Sequence, residues 1–172
     1  MKKIIFIIAL AILPFASYAQ ISIFDKFEDM DDVTSVIVNK EAFKMLSKFK
    51  GDSPEFKAYG EMVQSLESLK VFTTESTAIA SQMEDVVSKY LKTSKLVELM
   101  RVKDKDANVK IYIRPGKDDN HVNELLMFVN DMTNKANKQA VVLSLTGEID
   151  LNKISEITDA HIPNSSKQLK NK

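Results

Sequence analysis

From Leu96 onward the apolar residues of this chain stop recurring every three or four positions and begin to recur at every second one. That change of period constrains the fold more than any other feature, because it separates a mixed part, in which helices alternate with strands, from a part that reads mainly as strands. Four strand-like runs follow, Leu96 to Lys103, Val109 to Arg114, Val122 to Asn130 and Ala140 to Thr146. Between them lie short polar connectors: Asp104 to Asn108, Pro115 to Asn120 and Asp131 to Lys138. Neighbouring strands joined by so few residues pair antiparallel, since a parallel pair needs a crossover of a dozen residues or more. The expectation is a four-strand meander. Within the second run, Val109, Ile111 and Ile113 share one face and Lys110, Tyr112 and Arg114 share the other, which predicts a strand with its Val/Ile side inward and one wet side. Leu125 to Val129 is apolar on both faces and is expected at the centre of the sheet.

Before Leu96 the pattern is mixed. Val33 to Val38 is β-branched and reads as a strand. Asn39 then caps a helix whose stripe is Ala42, Met45, Leu46 and Phe49. Gly51 to Pro54 breaks it, and Ser53 with Pro54 opens a second helix carrying Tyr59, Met62, Val63 and Leu66. Leu69 to Thr73 reads as a short strand. Thr74 to Ser76 start the clearest helix, in which Ile79, Met83, Val86, Val87, Tyr90 and Leu91 keep the apolar period over more than three turns. Its polar side, with Gln82, Glu84, Asp85, Ser88 and Lys89, reads as a solvated face. Gly147 is expected to end the last strand and Asp150 to cap a final helix with Leu151, Ile154 and Ile157 turned inward. The resulting fold class is α+β: a two-layer sandwich with a largely antiparallel sheet and helices on one face.

The ends of the chain speak to compartment. Met1-Lys2-Lys3, an apolar stretch from Ile4 to Ala16, and small residues at Ser17 and Ala19 follow the order of a secretory signal. The stretch is shorter than the roughly 20 residues that span a bilayer. Residues 1–19 are therefore expected to be a cleaved signal peptide and the mature protein to be periplasmic or secreted. Residues 20–32 read as an acidic N-terminal segment, 33–162 as a single domain and 163–172 as a polar tail. The chain has no cysteine, so disulfides, thiol nucleophiles and thiolate metal sites are ruled out. Its 24 basic and 24 acidic side chains balance, leaving no electrostatic footprint for nucleic acid.

Several stretches resemble an exported bacterial family, domain of unknown function 4252. They are the Val-Thr-Ser-Val strand from Val33, Leu66 to Phe72 leading into the long helix, Leu96 to Lys103, Val109 to Tyr112, and Val141 to Asp150. The resemblance covers roughly Phe24 to Ile162. It implies a fold; it implies no activity, cofactor or catalytic residue. Where some members carry a lipoprotein cysteine after the signal, this chain has Gln20.

Constellations that carry chemistry are weak. Asp104, Asp106 and Asn108 match the opening of a calcium loop, but Lys110 and Pro115 stand where later ligands belong, so a polar turn is the reading. Glu28, Asp29, Asp31 and Asp32 read as solvated carboxylates, and Asp118 to Asn120 as a loop. His121 and His161 have no second histidine four residues away and lie in no nucleophile signature. Gly116-Lys117 lacks the rest of a phosphate loop. Met45, Met62, Met83 and Met127 read as core.

No cofactor, metal or catalytic residue is assigned on these grounds. The function expected is a non-enzymatic envelope or secreted module that binds a protein or peptide partner, with Lys110, Tyr112 and Arg114 as the candidate contact strip. A hydrolase whose site is assembled only by the fold, and a surface structural or adhesion component, are the alternatives.

Overall fold

The computed structural model describes residues 23–48, 60–103, 108–132 and 138–152. A six-stranded antiparallel sheet organises them: β1 (Thr34–Asn39), β2 (Leu66–Thr74), β3 (Val97–Lys103), β4 (Asn108–Pro115), β5 (His121–Asn130) and β6 (Ala140–Asp150). The spatial order is β1-β2-β6-β5-β4-β3. The last four strands form the expected meander, and β5 lies between β4 and β6, the central place its two apolar faces predicted. Helix α1 (Lys40–Leu46) follows β1, residues 60–64 are helical, and α2 (Thr77–Thr93) runs between β2 and β3.

Helix α2 covers one face of the sheet. Its Ala80, Met83, Val86 and Val87 are buried against Phe72, Leu126, Phe128 and Val142, which alternate to that face from β2, β5 and β6. The polar side of α2 is exposed, as its sequence predicted. The segment before β1 completes this layer. Phe24 and Phe27 are 1 % and 0 % exposed, with Phe27 in a short 3-10 turn over Phe72 and Phe24 edge-on to Tyr90 at 5.4 Å between centroids. Reading this stretch as an unpacked acidic segment holds only for its carboxylates: Glu28, Asp29, Asp31 and Asp32 are exposed, while the phenylalanines beside them are core. Burying a Phe side chain contributes about 1.5–3 kcal/mol, enough to tie the segment down.

A second cluster lies on the opposite side. Phe43 of α1 and Val63 pack with Leu69, Leu125, Leu145 and Ile113, which alternate to the other face near one end of the sheet. Asn39 caps α1 as predicted, its side-chain oxygen accepting from the Ala42 N–H at 2.9 Å. The stripe drawn for this helix is wrong: Met45 and Leu46 are 61 % and 43 % exposed, and Phe43 is the anchor. Because α1 has seven residues, one large side chain suffices to dock it and no long stripe forms. Phe49, Ser53, Tyr59, Ile154 and Ile157 lie outside the described residues.

Two strand boundaries also differ from expectation. Leu66 opens β2 instead of closing a helix, and β6 runs through Gly147 to Asp150. At Gly147 the register slips against both β2 and β5, and its φ is 136°. A Cβ there would lie 2.6 Å from the Ser65 carbonyl oxygen, so a residue that looks like a strand terminator is a bulge that only glycine fits. Asp150 does accept the Asn152 N–H at 2.9 Å, at the start of a helical turn.

Candidate functional site

The strip Lys110, Tyr112 and Arg114 is not a solvent-facing surface. The three residues share a face, as alternation requires, but it is the face beneath α2. Tyr112 is 8 % exposed and belongs to the main core cluster with Leu126 and Phe128. The expected assignment of sides is therefore inverted: Val109, Ile111 and Ile113 point to the other face, where only Ile113 joins a described cluster. Alternation tells which residues lie together. It does not tell which side a helix two elements earlier in the chain will cover.

Arg114 builds a polar node beneath that helix. Its Nε and Nη2 donate to Oε2 of Glu124 at 3.1 and 2.6 Å, and Nη2 also donates to the Tyr90 hydroxyl at 3.1 Å. The Tyr90 oxygen lies 2.9 and 3.0 Å from the two Glu124 oxygens. Each residue comes from a different element, β4, β5 and α2. The Glu124 side chain is 4 % exposed and that of Arg114 33 %. Burial, followed by the Glu124 charge, pushes the Tyr90 hydroxyl up to about 12, so it stays a hydrogen-bond donor. A buried carboxylate held by a guanidinium and a phenol pins the helix to the sheet. Nothing in the sequence pattern marked Glu124 beyond its being a charge inside an apolar run.

The node floors a cleft of about 440 Å³ whose other walls include Ile23, Phe24, Ser68, Lys70, Asn123, Ser144 and Thr146. Lys70 reaches across it to Asp25. Tyr90, Arg114 and Glu124 engage one another, Lys70 engages Asp25, and Glu67 engages Lys40; the one hydroxyl that meets a carboxylate here, that of Tyr90, is pushed up and so is not activated. Two titratable groups within hydrogen-bond reach satisfy the first geometric requirement of an enzyme site; an activated attacking group, the second, is not among the described lining residues.

His121 is the first residue of β5, the strand that also carries Glu124. Its Nδ1 lies 2.6 Å from Oδ1 of Asp118, and Nε2 lies 3.8 and 4.0 Å from Glu148 and Asp150. The bond from His121 holds the Asp118 carboxyl below the usual range, and the Lys117 ammonium does the same for Glu148. Among the described residues no group of three or more His, Asp or Glu is arranged to hold a metal ion. His161 and Asp104 to Ala107 fall outside the described residues; Asn108 opens β4, its N–H taken by Asp131 at 2.9 Å.

The feature that sequence reasoning missed is β3. It is an edge strand, and all seven of its residues are exposed. Four are large and apolar: Val97 is 50 % exposed, Leu99 58 %, Met100 47 % and Val102 40 %. Among the described residues nothing pairs with its outer side. The polar residues between them are used locally, with Arg101 Nη2 donating to Glu98 at 2.5 Å and lowering that carboxyl's pKa. The period-2 pattern identified the strand; its place at the edge depended on the order of all six.

An open antiparallel sheet with one long helix laid across it places the protein in the α+β class. The chain belongs to the family described as Domain of unknown function (DUF4252), whose model matches residues 27–157. No curated protein and no solved structure matches the chain. Among the described residues no helix is long and apolar enough to cross a membrane.

Proposed function

We propose that the protein is an exported, non-enzymatic module of the cell envelope that binds a protein partner along one of the two edges of its sheet, with β3, which exposes more large apolar residues than the other edge strand β1, as the contact strand. The observation that carries this reading is the exposure of Val97, Leu99, Met100 and Val102 on an edge that is unpaired among the described residues. Edge strands present a row of free backbone donors and acceptors, and one with exposed apolar side chains invites another strand to pair with it. Strand addition uses that row for affinity and the alternating side chains for specificity. The signal-like N-terminus supports export, and the mutual engagement of Tyr90, Arg114 and Glu124 supports a structural role for the cleft. The contact residues move accordingly from Lys110, Tyr112 and Arg114 to the strand next door.

A photo-activated cross-linker placed at Leu99, in cells that make the protein, tests this. The expected result is one discrete adduct that is absent when the cross-linker stands at exposed Lys92 on α2. No adduct at Leu99, or the same adducts at both positions, refutes it.

A further inference from the structure

The geometry points to a second copy of this chain as the partner at β3, joined strand to strand across a two-fold axis perpendicular to the sheet. The inference rests on the reading of β3 as a docking edge and names its occupant.

Val97, Met100 and Val102 oppose Ile113, Ile111 and Val109 of β4, which places them on the outer face. Glu98 and Arg101 oppose Tyr112 and Lys110, which places them on the helix-covered face. Glu98 and Arg101 are three positions apart, an odd spacing that regular alternation forbids for residues on one face. The register slips between Glu98 and Met100, leaving Leu99 as the extra residue of a bulge.

That slip decides how the strand can meet itself. A two-fold axis perpendicular to a sheet keeps each residue on its own face, so a regularly alternating strand can oppose only residues separated by an even number of positions. The bulge adds one position and makes an odd register consistent in its faces. In that register Val97 lies opposite Val102 of the second copy, Leu99 opposite Met100, and Glu98 opposite Arg101. Every apolar residue on the edge then meets an apolar residue, and each carboxylate meets a guanidinium, twice over by symmetry. Cross-strand pairs of these types are the stabilising ones, and like charges directly opposite would oppose pairing. The Glu98–Arg101 ion pair within one copy becomes part of a ring of four alternating charges. An isologous contact of this kind closes on itself, so the β3 edge is used up by one second copy.

Each copy contributes a single short strand, less than the roughly 800 Å² per partner of a standard interface. Association is therefore expected to be reversible and to need concentrations up to about 1 mM to saturate.

Sedimentation of the purified chain with paired charge reversals is the test. The wild type is expected to show a monomer–dimer equilibrium. Glu98→Arg and Arg101→Glu should each raise the dissociation constant by at least ~10-fold, since each places like charges face to face. Mixed in equal amounts, the two variants should form a heterodimer of one copy of each, because every facing pair is then of opposite sign. A variant that had failed to fold could not be restored in this way. A wild type that stays monomeric over the whole range overturns the inference, as does a mixture with no heterodimer. A monomeric wild type that still gives a cross-linked adduct with another protein at Leu99 overturns self-pairing alone and leaves the partner-binding reading standing.

Discussion

Removing Arg114 should harm this protein more than removing the residue it pairs with. Glu124 has 4 % of its side chain exposed and Arg114 33 %, so the two partners are stranded unequally. In Arg114→Ala a carboxylate stays in the core with only the Tyr90 hydroxyl to satisfy it. Breaking a buried pair in this way costs about 3–5 kcal/mol, and the partial access of solvent to this pair places the value near the lower end, about 3 kcal/mol. In Glu124→Leu the stranded guanidinium can turn to water, the cavity is largely refilled, and the cost falls to about 1–2 kcal/mol. The double variant Arg114→Ala/Glu124→Leu should then be more stable than Arg114→Ala alone, although it carries one substitution more. For a chain of this size, about 3 kcal/mol corresponds to a fall in Tm of about 6–12 °C. Urea unfolding of the four proteins gives the coupling energy directly. The reasoning fails if Arg114→Ala lies within about 1 kcal/mol of wild type, or if Glu124→Leu is the more damaging of the two single variants.

Two further outcomes follow from the same packing. The Tyr90 hydroxyl is raised from 10.0 to about 12 in the fold, so the folded state keeps a proton that the unfolded chain releases; this stability is complete below pH 10 and is lost as pH rises through about 12. Alkaline unfolding followed by circular dichroism should show that decline, and Tyr90→Phe should reduce its steepness; an unchanged pH profile counts against the node. Phe27→Ala removes a side chain that is 0 % exposed and should cost about 3–5 kcal/mol, measured by urea unfolding. A loss under about 1 kcal/mol would mean that the segment before β1 is not part of the core.

Much of the architecture was legible before any tertiary information. Periods of two and of three to four residues are local properties, and they located the meander, the long helix α2, the first strand and the cap at Asn39, because alternation and capping depend only on near neighbours. The same locality explains the failures. Alternation grouped Lys110 with Tyr112 and Arg114 but left open which face a distant helix would shelter, and α2 settled that by burying Tyr112. Phe24 and Phe27 sit among carboxylates that look like a tail, and only the sheet face waiting for them makes them core.

By itself, then, the sequence determined the period of each element, the antiparallel meander and the absence of thiol chemistry, since these rest on residue types and on distances along the chain. The tertiary structure alone decided what stands at the edge and what lies beneath the helix. The open flank of β3 exists because, among the described residues, β3 pairs with β4 alone and so ends the order, as β1 does at the other side. The Tyr90–Arg114–Glu124 node exists because three elements bring single residues within hydrogen-bond distance. Both are long-range juxtapositions, produced by burying the large apolar area of one sheet face, and no window of local sequence contains them.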